Sequence, residues 1–452
     1  MSDDRAATSD DSTTDGGTSD DSTTGAGTSA TAEPRLTIRR TTHRGVPRLV
    51  VVALPLALAG LLSLMISGNA LRPFERITVI ESRMASKSDY FRDPEVARLL
   101  LRHGIRVDIR RLGSRGIATR SLEGLDVVFP SGQPAAKLVL DRPDDTGQTV
   151  RPFVSPLALG SFRDYAETLV RAGVATRQRS ASGEPTLYYD LDMAKFMTLL
   201  DGVDDPNDPR DGTGDEADTW NGIGYDDVAA GDRSNSGSVL VRTSNVCESN
   251  SAGTYLSILA FVAGGEKTPG SSHPNDPARA RQEVDRIAAE IKPLVTLQGM
   301  WADEQADGYF SALGESLAPI ALIYEHQFLA HQIAHQRKHG EQDTSRVLLY
   351  PKPYALTEPQ LISLSPQGDR LVELIEQDAD LRRRALQLGF RIRFSGEDGA
   401  SRELDDYLSD HGIQVPVPNP DQTKALEPSL PVLDDIITYV GDCPPPDLDD
   451  IA

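Results

Sequence analysis

One stretch, residues 236–265 (SGSVLVRTSNVCESNSAGTYLSILAFVAGG), constrains the chain more than any other. It sets a short β-branched run, 238–241, ahead of a polar turn rich in Ser and Asn, 243–253, and an apolar helix, 255–263. A helix start carries unpaired amide donors and a partial positive charge, so such a turn can hold a carboxylate, an oxyanion or a sugar hydroxyl. An ordinary helix cap uses the same residue types. Strand, polar turn, helix is also the repeating unit of a sheet covered by helices, and the rest of the chain decides how that unit is used.

The same order recurs from residue 77 onwards. ITVI (77–80) is a strand followed by the polar ESRMASKSDYF, and Asp93-Pro94 then opens a helix that stops at Gly104. RVDIRRL (106–112) and LDVVF (125–129) read as further strands, the latter leading through Pro130-Ser131-Gly132 into a helix-competent PAAKLVL. This rhythm argues for a parallel sheet whose ligand loops leave the carboxyl ends of the strands. Ser82, Ser86, Lys87, Ser131 and Gly132 fall on one such rim.

VRPFVSPLALG (150–160) is an extended crossing, because Pro152 and Pro156 exclude regular helix. Helices are expected over 162–173, 188–200, 276–291 and 300–313. LAPIALI (317–323) is a buried strand that delivers Tyr324, Glu325 and His326 at its end. RVLLYP (346–351) is another strand. Ser365-Pro366 starts a helix burying Leu371, Val372, Leu374 and Ile375, and a second helix with Leu381, Ala385 and Leu388 ends at Gly389. Residues 430–440 add one last strand or helix.

Composition excludes one class of partner. A formal charge of −22 would repel a phosphate backbone, so no nucleic-acid binding is expected. The Ser/Asp/Thr/Gly repeats of residues 1–34 cannot bury a core, and residues 1–48 as a whole read as a disordered cytoplasmic tail. Arg35, Arg39, Arg40, Arg44 and Arg48 then precede an uncharged apolar run, and residues 49–71 read as a transmembrane anchor. The arginine bias places the N-terminus inside and the bulk of the chain outside the cell. A cleaved secretory signal is the competing reading; the tail ahead of the run and the length of the run favour the anchor. Cys247 and Cys443 lack CxxC spacing, and in an extracellular domain they could pair with each other.

Two metal readings are weak, and no metal or cofactor is expected. The acidic loop 201–235 contains DDPNDPRDGTGDEAD, but Pro209 breaks the ladder of oxygen ligands that a calcium loop needs. His331, His335 and His339 share one helix face and could ligate a metal in pairs, though a solvated basic helix end explains them as well. No Gly-x-Ser-x-Gly, His-Glu-x-x-His or phosphate-loop motif is present. Glu325 and His326 are chain neighbours, and such neighbours usually point apart, so no enzyme is expected and a hydrolase is the least favoured alternative.

Taken in order, ITVIESRMAS, FVSPLALG, SNSAGTYLSILAFVA and YPKPYAL followed by SPQGDRLVELIEQDADLRRRALQLGFR resemble an extracellular solute-binding protein. The group is the two-lobed, type 2 periplasmic-binding-protein-like family, nearest to its molybdate- and sulfate-binding members. The resemblance implies an α/β fold of two lobes, each a helix-flanked mixed sheet, joined by two extended crossings and closing on a ligand like a hinged trap. Carried onto this chain, lobe 1 is residues 74–152 and 350–452, and lobe 2 is 153–349. It implies a small polar or anionic ligand held by Ser82, Ser86, Ser131, Ser155, Ser251, Thr254 and Tyr324. Hydroxyls of this kind bind an anion or polyol without burying an uncompensated charge. A transporter or sensor partner in the membrane follows from the same resemblance. The anchor, the acidic loop, and Glu81, Arg83 and Glu325 near the rim depart from a simple oxyanion binder. A cell-surface interaction domain with a degenerate cleft is the alternative.

Overall fold

The second of two sheets is built on the ten-residue strand Phe153–Phe162, whose residues are buried at every position but Pro156. The computed structural model describes residues 54, 56, 59, 60, 63, 77–142, 146–180, 183, 185–200, 219–299, 305–393, 402–417 and 423–443. The chain divides into two units, 1–74 and 75–452. In the first, residues 54, 56, 59, 60 and 63 are helical. The remainder of the expected tail and anchor lies outside the described residues, as does 201–218 of the acidic loop. Among the described residues no helix is long and apolar enough to cross a membrane.

In the second unit, β1 (Thr78–Met84) leads to α1 (Pro94–Arg102), which starts where the Asp93 carboxylate accepts from the amides of Glu95 and Val96 with Pro94 in the first turn. Then come β2 (Ile105–Arg111), α2 (Ser114–Thr119), β3 (Val127–Phe129), α3 (Gln133–Leu140) and β4 (Thr149–Val150). β5 is the strand Phe153–Phe162. After it come α4 (Arg163–Arg171), β6 (Ala175–Arg177), β7 (Tyr188–Asp192), α5 (Met193–Leu200), α6 (Asn250–Ala263) and α7 (Pro277–Thr296). Past β8 (Ile320–Tyr324) and α8 (Glu325–His339), the chain returns through β9 (Arg346–Lys352), β10 (Leu356–Thr357) and β11 (Leu361–Ser363). It ends with α9 (Pro366–Gln377), α10 (Ala379–Gln387), β12 (Arg391–Ile392), α11 (Glu403–Asp410) and α12 (Leu430–Gly441).

Two mixed sheets result. The first has the order β2-β1-β3-β11-β4, parallel among β1, β2 and β3 and antiparallel at β11. The second runs β10-β5-β9-β7-β6, with β8 and β12 also on β5. β5 pairs with β12 and β10 through its first residues and with β8 and β9 through its last, and β9–β10 carries the chain back beside it. These are the two extended crossings between two helix-flanked α/β lobes. Val96, Leu99, Phe129, Phe153, Leu371 and Phe390 belong to a core on the first sheet. Leu159, Tyr189, Phe196, Leu256, Ile287 and Leu349 belong to a larger one on the second.

Three expectations change. Residues 188–200, expected as one helix, are β7 and then α5: the YYDLD half pairs in parallel with β9 and is buried on both faces, which an apolar run disguises as helix. The turn expected over 243–253 winds into α6 from Asn250. The expected domain boundary placed 350–452 with lobe 1, and its described parts divide instead. α9 and α10 pack on the first sheet, whereas Leu404, Leu408, Leu433, Ile436 and Val440 join the second core. The cysteines bond to each other, Cys247 with Cys443, fastening the end of α12 beside the start of α6. In the described part of the acidic loop, Trp220 and Tyr225 are buried against Tyr165, so this stretch has aromatic anchors.

Candidate functional site: the junction between the two sheets

β1 and β3 are neighbouring parallel strands, so the turns that leave their carboxyl ends lie side by side. Ser86–Ser88 forms a single 3₁₀ turn after β1, and Ser131 follows β3. Ser86 Oγ donates to Ser131 Oγ at 3.1 Å and lies 3.3 Å from Tyr324 Oη, contributed by the other sheet at the end of β8. Ser131 Oγ accepts from the Lys87 amide at 3.3 Å, and Ser114 Oγ accepts from the Ser131 amide at 2.9 Å. Asn250, the first residue of α6, donates its side-chain amide to Tyr324 Oη at 3.4 Å. Three of the seven expected residues, Ser86, Ser131 and Tyr324, thus meet at one point.

The other four divide. Ser155 Oγ lies 2.9 Å from His326 Nδ1, and His326 Nε2 lies 2.9 Å from Asp89 Oδ2, a chain that ties the first sheet to the second. Serine, histidine and aspartate in this order resemble a nucleophile relay. Ser155 is nevertheless only 1% exposed and is also contacted by the His326 amide, so the chain is a strut with no approach for a substrate. Burial lowers the His326 pKa, and Asp89 opposes that. Thr254 Oγ1 donates to Glu427 Oε1 at 3.1 Å. Ser251 Oγ pairs with Ser249 Oγ at 2.8 Å. Ser82 does not join the cluster, because β1 runs on to Met84 and leaves it mid-strand, donating to the Asp108 carbonyl at 2.7 Å.

Lys87 is the group that sequence reasoning placed on the rim but left out of the site. Its side chain is fully buried, with Nζ 3.4 Å from the centroid of the Tyr324 ring. Nζ has no hydrogen-bond partner among the described residues. Burial pushes its pKa down to about 7, while Asp89 and Glu427 oppose the shift. The Tyr324 hydroxyl is pushed up to about 12, chiefly by burial, and stays protonated as a donor. The signal available in the sequence was a single lysine among small residues at a strand end. Asn250 carried the weak signal of a polar helix start, and Glu427, in a proline-rich stretch, carried none.

A groove holding about 440 Å³ of empty space adjoins the cluster. The first turns of α3 and α6 line it, and neither has a side-chain cap. Thr254 and Glu427 line it as well. The two sheets are closed on each other here: a Cβ on Gly113 would run into the Glu248 carbonyl, and one on Gly132 would sit 2.8 Å from Asn250 Oδ1. The charges that a simple oxyanion binder would not need are used elsewhere. Glu81 pairs with Arg110 at 2.9 Å, Arg83 donates to the Ser121 carbonyl, and Glu325 is buried against Arg391 and Tyr350, both at 2.7 Å. Glu325 and His326 do point apart. Of the three histidines, His331 meets Asp343 at 2.8 Å and His335 the Glu341 carbonyl at 2.9 Å.

No protein-family model matches the chain, and neither does any curated protein. Solved structures do. Iron-bound HitA from Pseudomonas aeruginosa is 12% identical, with 81% of this chain and 99% of that one covered and a TM-score of 0.42. The periplasmic molybdate-binding protein of Azotobacter vinelandii is 12% identical over 70% of this chain and 99% of its own, with a TM-score of 0.35. The periplasmic binding protein AfuA from Actinobacillus pleuropneumoniae, holding fructose-6-phosphate, is 10% identical over 82% and 94%, also at 0.35.

Proposed function

We propose that the chain captures a small anionic solute at the junction of its two lobes, without covalent chemistry, and delivers it to a transporter or sensor in the membrane. The observation that carries this reading is Lys87: a buried ammonium with no hydrogen-bond partner among the described residues, set beside the Ser86, Ser131 and Tyr324 hydroxyls and the Asn250 amide. Asp89 and Glu427 act on this side chain through space but neither accepts a hydrogen bond from Nζ, and an anion bridging the lobes would supply the missing acceptors. Closure then follows from differential affinity, since only the closed arrangement offers both sets of donors.

Titration calorimetry of the full-length protein with sulfate, molybdate, phosphate and acetate tests it. At least one anion binds with 1:1 stoichiometry and Ser131→Trp abolishes the binding. Absence of heat with all four, together with an unchanged melting temperature, overturns the reading.

The same proposal places the lobes outside the cell, tethered through residues 49–71. The Cys247–Cys443 bond supports an oxidising location, and the arginines ahead of the apolar run support the orientation. Mass spectrometry of the mature protein checks the tether, and an N-terminus near Leu71 would replace it with a cleaved signal.

A further inference from the structure

The C-terminal segment reaches the groove from outside both sheets, and its course is held on either side of Glu427. Before it, the Tyr354 amide donates to the Thr423 carbonyl at 3.0 Å and the Ala425 amide to the Tyr354 carbonyl at 2.8 Å. After it, α12 packs on α6 and α7, Lys292 bonds Asp442 at 2.6 Å, and Cys443 is bonded to Cys247. From the first lobe, Arg115 on α2 holds Asp434 of α12 with its guanidinium. Glu427 turns inward between these fastenings. Its carboxyl accepts from Thr254 Oγ1 of α6 at 3.1 Å and lines the groove; burial raises its pKa, and the Thr254 bond and the charges of Lys87 and Lys424 oppose that.

Thr254, near the start of α6, is among the groups suited to grip an anion, and Glu427 already occupies its hydroxyl. Lys87 Nζ, by contrast, has no hydrogen-bond partner among the described residues, Glu427 included. We propose that Glu427 is an internal stand-in for the ligand's anionic group, which an incoming anion must displace before the cleft can hold it. The inference rests on reading the cleft as an anion-capture site. A carboxylate at this position weakens every anion by direct repulsion and by holding Thr254, so the C-terminal segment sets the concentration at which the protein loads.

Calorimetry with sulfate, molybdate and phosphate on full-length wild type, Glu427→Gln and Glu427→Ala tests this. Gln keeps the shape and removes the charge, and Ala removes both; unfolding midpoints confirm that each variant is folded. Both variants are expected to bind at least one of the anions tenfold or more tightly than wild type. In wild type, saturating sulfate is expected to speed amide hydrogen exchange over residues 423–429 as the segment leaves the groove. Equal or weaker binding by both variants, or slower exchange on saturation, overturns the inference and leaves the capture reading standing. No binding by any of the three chains overturns both.

Discussion

At the scale of single residues, the molecule turns on a lysine whose charge is conditional. Burial brings the Lys87 pKa down to about 7 even with Asp89 and Glu427 opposing it, so the side chain is mostly neutral above that pH. A bound anion favours the charged form, so binding at pH 8 takes up close to one proton, while binding at pH 6, where the ammonium is already formed, takes up almost none. Calorimetry in two buffers of different ionisation enthalpy reads this directly; a heat at pH 8 that does not depend on buffer would show that Lys87 is not the counter-ion. Lys87→Met should weaken anion binding by between about 10- and 150-fold, the range for one charged hydrogen bond, and abolish the proton uptake. Ser86, Ser131 and Tyr324, which sequence alone grouped together, do meet, because each lies at or just beyond a strand end. It misplaced Ser82, since a polar residue two positions inside a strand reads like the start of a loop, and it undervalued Lys87, since burial is not visible in a linear string.

At the scale of elements, closeness across the junction depends on glycines at two helix starts. Gly113 precedes α2 with φ −58°, a conformation open to any residue, so Gly113→Ala carries no backbone penalty within its own lobe. The nearest atoms that a Cβ there would meet are the backbone of Glu248 across the junction. The substitution should therefore leave the unfolding of the first lobe unchanged, open the closed form at a cost of about 1–3 kcal/mol, and lower anion affinity by a comparable factor. Scattering at saturating sulfate should find a larger radius of gyration than wild type, and an unchanged radius with unchanged affinity would refute it. A second element-level prediction concerns β12. Arg391 bonds Glu325 through two nitrogens and also reaches Asp405 at 2.8 Å. Arg391→Met strands a buried carboxylate and should cost about 3–5 kcal/mol in denaturant unfolding; a loss below about 1 kcal/mol would show that solvent reaches Glu325. Several helices were legible because Pro and a capping acid or hydroxyl mark their starts, as at Asp93-Pro94, Asp276-Pro277 and Ser365-Pro366. β7 was not, because a strand buried on both faces loses the alternation that would identify it.

At the scale of the whole molecule, the departure from two lobes exchanging strands is the C-terminal segment, which leaves the first core after β12 and ends packed in the second core. Nothing in its proline-rich composition indicates this, since the pairing of distant segments is a tertiary fact. The bond between Cys247 and Cys443 spans 196 residues and so restricts the unfolded chain from just before α6 to the end of α12. Replacing both cysteines by serine, or reducing the wild type, should lower its stability by about 2–5 kcal/mol and free α12 from the mouth of the groove. The same pair tests the compartment. In a reducing cytoplasm the two thiols would be free, whereas outside the cell they would be bonded. Protein taken from cells, denatured and alkylated without reductant, should carry no label at either position and two labels after reduction. Label appearing before reduction would remove the support that this bond lends to an extracellular cleft, whatever the apolar run before it does.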